Sequence, residues 1–114
     1  MRIDKGRAGM FVPQKIVGIP WFAPETYRAC CAVMDDGDEL PEDYSEWLAE
    51  AVELVAEIEE GGHRALKVVI DVKEFPVWCR AHNIAPDAKA RVRLAKFVAF
   101  QEAGYAKDRL ARRG

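Results

Sequence analysis

The most regular pattern of apolar and polar positions runs from Asp43 to Glu60, DYSEWLAEAVELVAEIEE. Tyr44, Trp47, Leu48, Ala51, Leu54, Val55 and Ile58 recur at three- and four-residue spacing, which places them on one face of a helix. Glu46, Glu50, Glu53 and Glu57 occupy the other face. Asp43 suits the N-cap, with Glu46 three residues later as in a capping box, and Gly61-Gly62 stops the helix. The period then changes. Over 64–72, Leu66, Val68, Ile70 and Val72 alternate with Lys67, Val69 and Asp71, the two-residue repeat of a strand.

Shorter patterns fill the rest. FVPQKIVGI (11–19) predicts a strand whose core is Ile16–Ile19, because Pro13 limits pairing to an edge or a break. A helix is expected from Pro24 to about Met34, with Pro24 in the first turn and Tyr27, Cys30, Cys31 and Met34 on one face. Asp35-Asp36-Gly37 ends it, and Gly37 is the expected left-handed residue. Asp71 and Glu74 open a helix to Asn83, with its regular part beginning near Lys73 or Glu74, since Pro76 is tolerated only in the first turn. Phe75, Trp78, Cys79 and His82 share a face there, and Asn83 is a left-handed stop. Pro86 begins a last helix to about Gly104. Ala88, Val92, Ala95 and Ala99 form a small-residue stripe on it, broadened by Leu94, Phe97 and Val98.

The order is strand, helix, helix, strand, helix, helix. Two strands bury little alone. The expected fold is therefore α+β and mostly helical, a small two- or three-stranded sheet with about four helices packed on one face. Residues 15–104 form a single globular domain in this reading. Residues 1–14 are expected to be a flexible arm and 105–114 a fraying basic tail.

Four phrases in order, IPWF–PE–Y from Ile19, LP–DYSEWL from Leu40, VVIDVKEFPVWC from Val68 and APDAKAR from Ala85, give the chain a further reading. It resembles a family of small uncharacterised bacterial proteins, a domain of unknown function, over residues 19–103. The resemblance implies a shared fold built on packing and capping motifs and implies no particular activity.

Composition narrows the picture. A chain of 114 residues with half its residues hydrophobic builds one compact core. A net charge of −2 argues against a polycation that seeks nucleic acid. Three cysteines, two of them adjacent, and an N-terminus MRIDKGRAGM without an apolar core point to reduced thiols in a cytoplasm. No apolar run is long enough to span a membrane.

Charge is nevertheless strongly separated. Residues 35–60 carry twelve carboxylates and no basic side chain, whereas residues 89–113 carry eight Lys or Arg against Glu102 and Asp108. Carboxylates at i and i+4 repel by about 0.2–0.5 kcal/mol per pair, so the acidic stripe is tolerated, not favoured, by the helix. The plain reading is a solvated face, which most charge runs are, together with complementary packing of the acidic and basic halves. The functional reading is a contact surface at Glu46, Glu50, Glu53 and Glu57, met by a second copy in a homodimer, by a basic protein, or used to mimic a nucleic-acid backbone.

Candidate chemistry is thin. Residues 74–103 have the outline of a helix-turn-helix that would present Lys89, Arg91, Arg93 and Lys96 to DNA, although Asp87 near the groove-facing end would repel phosphate. Asp35, Asp36, Asp38 and Glu39 lack the spacing of a calcium loop. Cys79 and His82 are spaced C-x-x-H, with Cys30-Cys31 as further ligands, yet adjacent cysteines suit one ion poorly and all four fall on expected core faces. Nothing orients His82 toward Cys79 as a base. Ser45 and Thr26 are the only serine and threonine, and no Gly-rich phosphate loop, HExxH or GxSxG occurs. No catalytic residue, cofactor or metal is therefore expected. The reading is a small cytoplasmic binding protein that acts through protein–protein contact, with no membrane partner; the alternative is a small DNA-binding regulator using residues 74–103.

Overall fold

The computed structural model describes the backbone of residues 15–113 and the side chains of residues 15–104. The flexible arm expected over residues 1–14, and the start of the strand expected at 11, lie outside the described residues. The elements are β1 (Ile16–Trp21), α1 (Tyr27–Val33), a 3₁₀ turn (Gly37–Glu39), α2 (Tyr44–Glu60), β2 (Arg64–Val69), α3 (Glu74–Ala81) and α4 (Ala88–Arg113). The fold is α+β and mostly helical, in the expected order, with a sheet of two strands among the described residues.

β1 and β2 are parallel, in a register that sets Ile16 opposite Arg64 and Trp21 opposite Val69. Parallel neighbours need a long crossover, and α1 with α2 supplies it. The helices do not all pack on one face, as the sequence suggests. Gly18 meets α4: a Cβ built there would lie 2.1 Å from the Ala95 carbonyl oxygen. Trp21, three residues on, points to the opposite face of the strand and meets Trp47 of α2, ring centroids 5.1 Å apart. A parallel sheet is stable when both faces are covered, and here α2 and α4 cover one each.

Several local expectations hold. Asp43 caps α2 by accepting from the Ser45 N–H at 3.2 Å. Asp71 caps α3, with one carboxylate oxygen accepting from the Lys73 and Glu74 N–H groups at 2.9 and 2.7 Å. Asn83 has φ of 56° and Gly62 of 87°, both left-handed stops. Gly37 differs. It is absent from the left-handed region, and glycine is required because a Cβ would lie 1.8 Å from the Cys31 carbonyl oxygen.

Two helix faces are also corrected. Leu54 of α2 is exposed, at the margin of the apolar stripe, while Trp47 and Ala51 are buried. On α4 the buried positions are Ala90, Arg91, Ala95 and Ala99 with Leu94 and Val98 half-buried; Ala88, Val92 and Phe97 face outward. The face is turned because the backbone of α4 seats on Gly18 through Ala95 and because Arg91 turns inward. The helix also continues past Gly104 to Arg113. One glycine costs a helix about 1 kcal/mol relative to alanine, and the following run of Ala, Lys, Arg and Leu favours helix.

The core lies at the carboxyl ends of the strands. Phe22, Tyr27, Trp47, Ile70, Phe75 and Cys79 are buried together there. Phe22, Tyr27, Tyr44 and Trp47 meet largely edge to face, the preferred packing of aromatic rings. Their polar ends are satisfied. Tyr44 Oη donates to the Phe22 carbonyl at 2.8 Å, and Tyr27 Oη donates to the Pro41 carbonyl. Burial first, then the neighbouring Cys31, pushes the Tyr27 hydroxyl up to about 12, so it remains a donor at neutral pH.

Candidate interaction surface

The sequence separates acidic and basic segments, and the fold determines which of their charges meet. Glu46, Glu50, Glu53 and Glu57 are all exposed along the outer face of α2. On α4, Lys89, Arg93 and Lys96 are exposed in a second row, beside the outward rings of Phe97 and Phe100. Among the described residues no ion pair joins α2 to α4. The ion pairs described are Arg91 with Asp36 and, at 4.0 Å, Arg64 with Glu102. The expected complementarity of the two halves is therefore met inside the chain at one buried point.

Arg91 is that point, and it leaves the set expected to contact DNA. Only 7% of it is exposed. Its two terminal nitrogens donate to the two Asp36 carboxylate oxygens at 2.8 and 2.9 Å, the bidentate geometry that arginine favours. Nη1 also lies 3.2 Å from Met34 Sδ, and the guanidinium carbon stands 5.8 Å from the centre of the Phe22 ring. A phosphate cannot reach a group held this way. Asp36, for its part, is held below the ordinary carboxylate range by the Arg91 hydrogen bonds. Both of its oxygens are thereby engaged, apart from the other carboxylates of the acidic loop.

The helix-turn-helix outline survives only in part. α3 and α4 are joined by residues 82–87. Asp87 caps α4 by accepting from the Ala90 N–H at 3.0 Å, and the Pro86 carbonyl accepts from the Asp35 N–H at 2.9 Å. The amino end of α4 is thus tied to the loop after α1, with Lys89 exposed in its first turn and Arg93 and Lys96 further along the helix.

The thiols and histidine do not assemble. Among the described residues no group of three His, Cys, Asp or Glu side chains is placed to hold a metal ion. Cys30 is buried and its Sγ lies 3.6 Å from the Ile70 carbonyl oxygen. Burial pushes the Cys30 and Cys79 thiols up, away from the thiolate form a nucleophile needs. His82, expected on a core face, is exposed. Its ring lies over Trp78 at 4.3 Å and Nδ1 is 2.9 Å from the Trp78 carbonyl oxygen. The helix ends at Ala81, so His82 follows the turn outward.

Sequence reading missed a groove between the end of β2, α3 and α4. It has a volume of about 600 Å³ and is lined by Val69, Phe75, Val77, Trp78 and Leu94, with Asp71 and Glu74 beside them. The signal was available: Val69 and Val77 are apolar residues on the polar sides of their elements. No protein-family model, characterised protein or solved structure matches this chain. The family resemblance of its motifs therefore rests on those motifs alone. No helix among the described residues is long and apolar enough to cross a membrane.

Proposed function

We propose that this chain is a non-catalytic binding protein that acts through protein–protein contact, by self-association and by receiving a basic partner on α2. The observation that carries the reading is the row Glu46, Glu50, Glu53 and Glu57, exposed on one helix and joined by no ion pair to the cations of α4 among the described residues. Like charges held in a row cost the isolated helix stability, and a complementary surface relieves that cost. The free thiols Cys30, Cys31 and Cys79 fit a reducing, cytoplasmic setting. Titration with a Lys- and Arg-rich peptide tests the acidic face. Binding should weaken as salt rises and disappear when the four glutamates are changed to glutamine. Equal binding by that variant would overturn the assignment of this face.

One observation favours a second reading, a small DNA-binding regulator. Lys89, Arg93 and Lys96 share an exposed row with Phe97 and Phe100, the mixture of cations and rings that nucleic acid uses. Retention on random duplex or single-stranded DNA at low salt, lost in a Lys89→Gln, Arg93→Gln, Lys96→Gln variant, would support it. Absence of retention at low salt would remove it.

A further inference from the structure

The two strands of the sheet differ in what their outer edges offer. The Lys15 carbonyl accepts from the Arg64 N–H at 2.9 Å, and the Trp21 carbonyl accepts from the Ile70 N–H at 2.8 Å. Backbone groups alternate in direction along a strand of a parallel ladder. Ile16, Gly18 and Pro20 of β1 therefore turn their backbone groups away from β2. On β2, Arg64, Leu66 and Val68 turn theirs toward β1, and Ala65, Lys67 and Val69 turn theirs outward. The outer edge of β1 is blunted by Pro20, which has no N–H to offer a further strand. The outer edge of β2 has no such block. Among the described residues no backbone hydrogen bond reaches Ala65, Lys67 or Val69. Lys67 is exposed and Val69 is 57% exposed. A row of free N–H and C=O groups is a template for one kind of occupant, an extended backbone.

Charge and pattern define that occupant further. The side chains of Ala65, Lys67 and Val69 share one face of β2, and those of Leu66 and Val68 share the other. Lys67 Nζ stands 4.5 Å above the Trp21 ring, which keeps its charge on the first face. An added strand with carboxylates beside Lys67 and apolar side chains beside Leu66 and Val68 matches both faces. Along this edge and the groove beyond it, Arg64, Lys67 and Lys73 are exposed cations, against exposed Asp71 and Glu74. One Asp71 oxygen already accepts from the Lys73 and Glu74 N–H groups. Val69 also lines the groove, so a chain running past the end of β2 finds an apolar seat against Val77 and Trp78. A second copy of β2 fits this edge poorly. Antiparallel pairing of two such edges sets their Lys67 side chains opposite or diagonal to each other, and like charges so placed repel.

We infer that β2 receives an extended acidic peptide segment of a partner protein as a third strand, paired to the backbone of Ala65, Lys67 and Val69. The contact goes beyond the reading above and is independent of the glutamate row on α2.

Amide hydrogen exchange of the full chain, followed by nuclear magnetic resonance, tests it with a capped peptide of alternating Glu and Val as the probe. A peptide of alternating Lys and Val is the control. In the free chain the amides of Ala65, Lys67 and Val69 should exchange much faster than those of Leu66, Val68 and Ile70. The Glu/Val peptide should protect the fast set and bind more tightly than the Lys/Val peptide. N-methylation of alternate peptide amides should abolish binding for the set that faces β2 and spare it for the other set. Val69→Pro, which removes one outward N–H and no bond to β1, should weaken binding by about fivefold or more, the worth of a hydrogen bond. Lys67→Glu keeps every backbone group and should reverse the preference between the two peptides. Protection of the fast set in the dilute free chain would show that the chain covers this edge itself and would overturn the inference. Protection that grows with protein concentration alone would assign the edge to a second copy and overturn it as well. Equal binding of the two peptides, binding indifferent to N-methylation, or no protection by the Glu/Val peptide would each overturn it too.

Discussion

Arg91 of α4 and Asp36 of the loop after α1 form a two-point ion pair, 2.8 and 2.9 Å, across 55 residues of sequence. It links the crossover half of the chain to the last helix where the Phe22 ring and the Met34 sulfur close over it. Removing one partner leaves the other charge poorly solvated, so Arg91→Ala should cost about 3 kcal/mol, the lower end for breaking a buried pair. Denaturant unfolding measures this. A loss near that of an ordinary surface substitution would mean that the pair is solvated and that α4 is held by Gly18 and Ala95 alone.

The same pair gives the fold an acid sensitivity of known sign. The Asp36 carboxyl lies below its ordinary value of 3.8 in the folded chain, because Arg91 donates to it. Its contribution is therefore fully present above that ordinary value and is lost as pH falls through the lower, folded one. Stability measured from pH 5 downward should fall more steeply in the wild type than in Asp36→Asn, which starts lower and lacks this titration. Parallel acid profiles would show that other carboxylates dominate.

Gly18 allows β1 and α4 to approach closely. Its α-carbon faces the Ala95 carbonyl oxygen so nearly that a methyl group would overlap it at 2.1 Å. The clash is with backbone, which can yield only by moving α4. Gly18→Ala should destabilise by about 1–3 kcal/mol, the usual cost of overpacking a tight contact. Gly62→Ala meets no such neighbour and should cost only the strain of its positive φ. Thermal melting of the two variants would separate these causes.

Trp47 anchors α2 to the sheet. It lies against Trp21, Phe22, Tyr27 and Tyr44 and is almost wholly buried. Trp47→Ala should cost about 3–5 kcal/mol, as truncation of a large buried ring does. An unfolding midpoint close to that of the wild type would contradict the aromatic core described here.

The elements that could be read from the sequence are those fixed by local chemistry. Asp43 and Asp71 cap helices wherever they are placed, Asn83 and Gly62 turn the chain with their own φ, and the alternation through Val68 and Ile70 survives any partner. The missed features depend on contacts distant in sequence. Arg91 reads as a surface cation until Asp36 is brought beside it. Gly37 reads as a left-handed stop until the Cys31 carbonyl occupies the space of its side chain. Val92 and Phe97 read as core until Gly18 sets the rotation of α4. The candidate surface was half legible for the same reason. The acidic row on α2 is a matter of helical period, whereas the groove between β2, α3 and α4 exists only once the three have packed.

The central claim about the chain by itself is that it self-associates, and the mass of the unmodified chain in solution tests it most directly. Sedimentation equilibrium across a concentration series should give an average mass that rises from 12.8 kDa toward twice that value. A mass that stays at 12.8 kDa at every concentration and in low and high salt alike would contradict it.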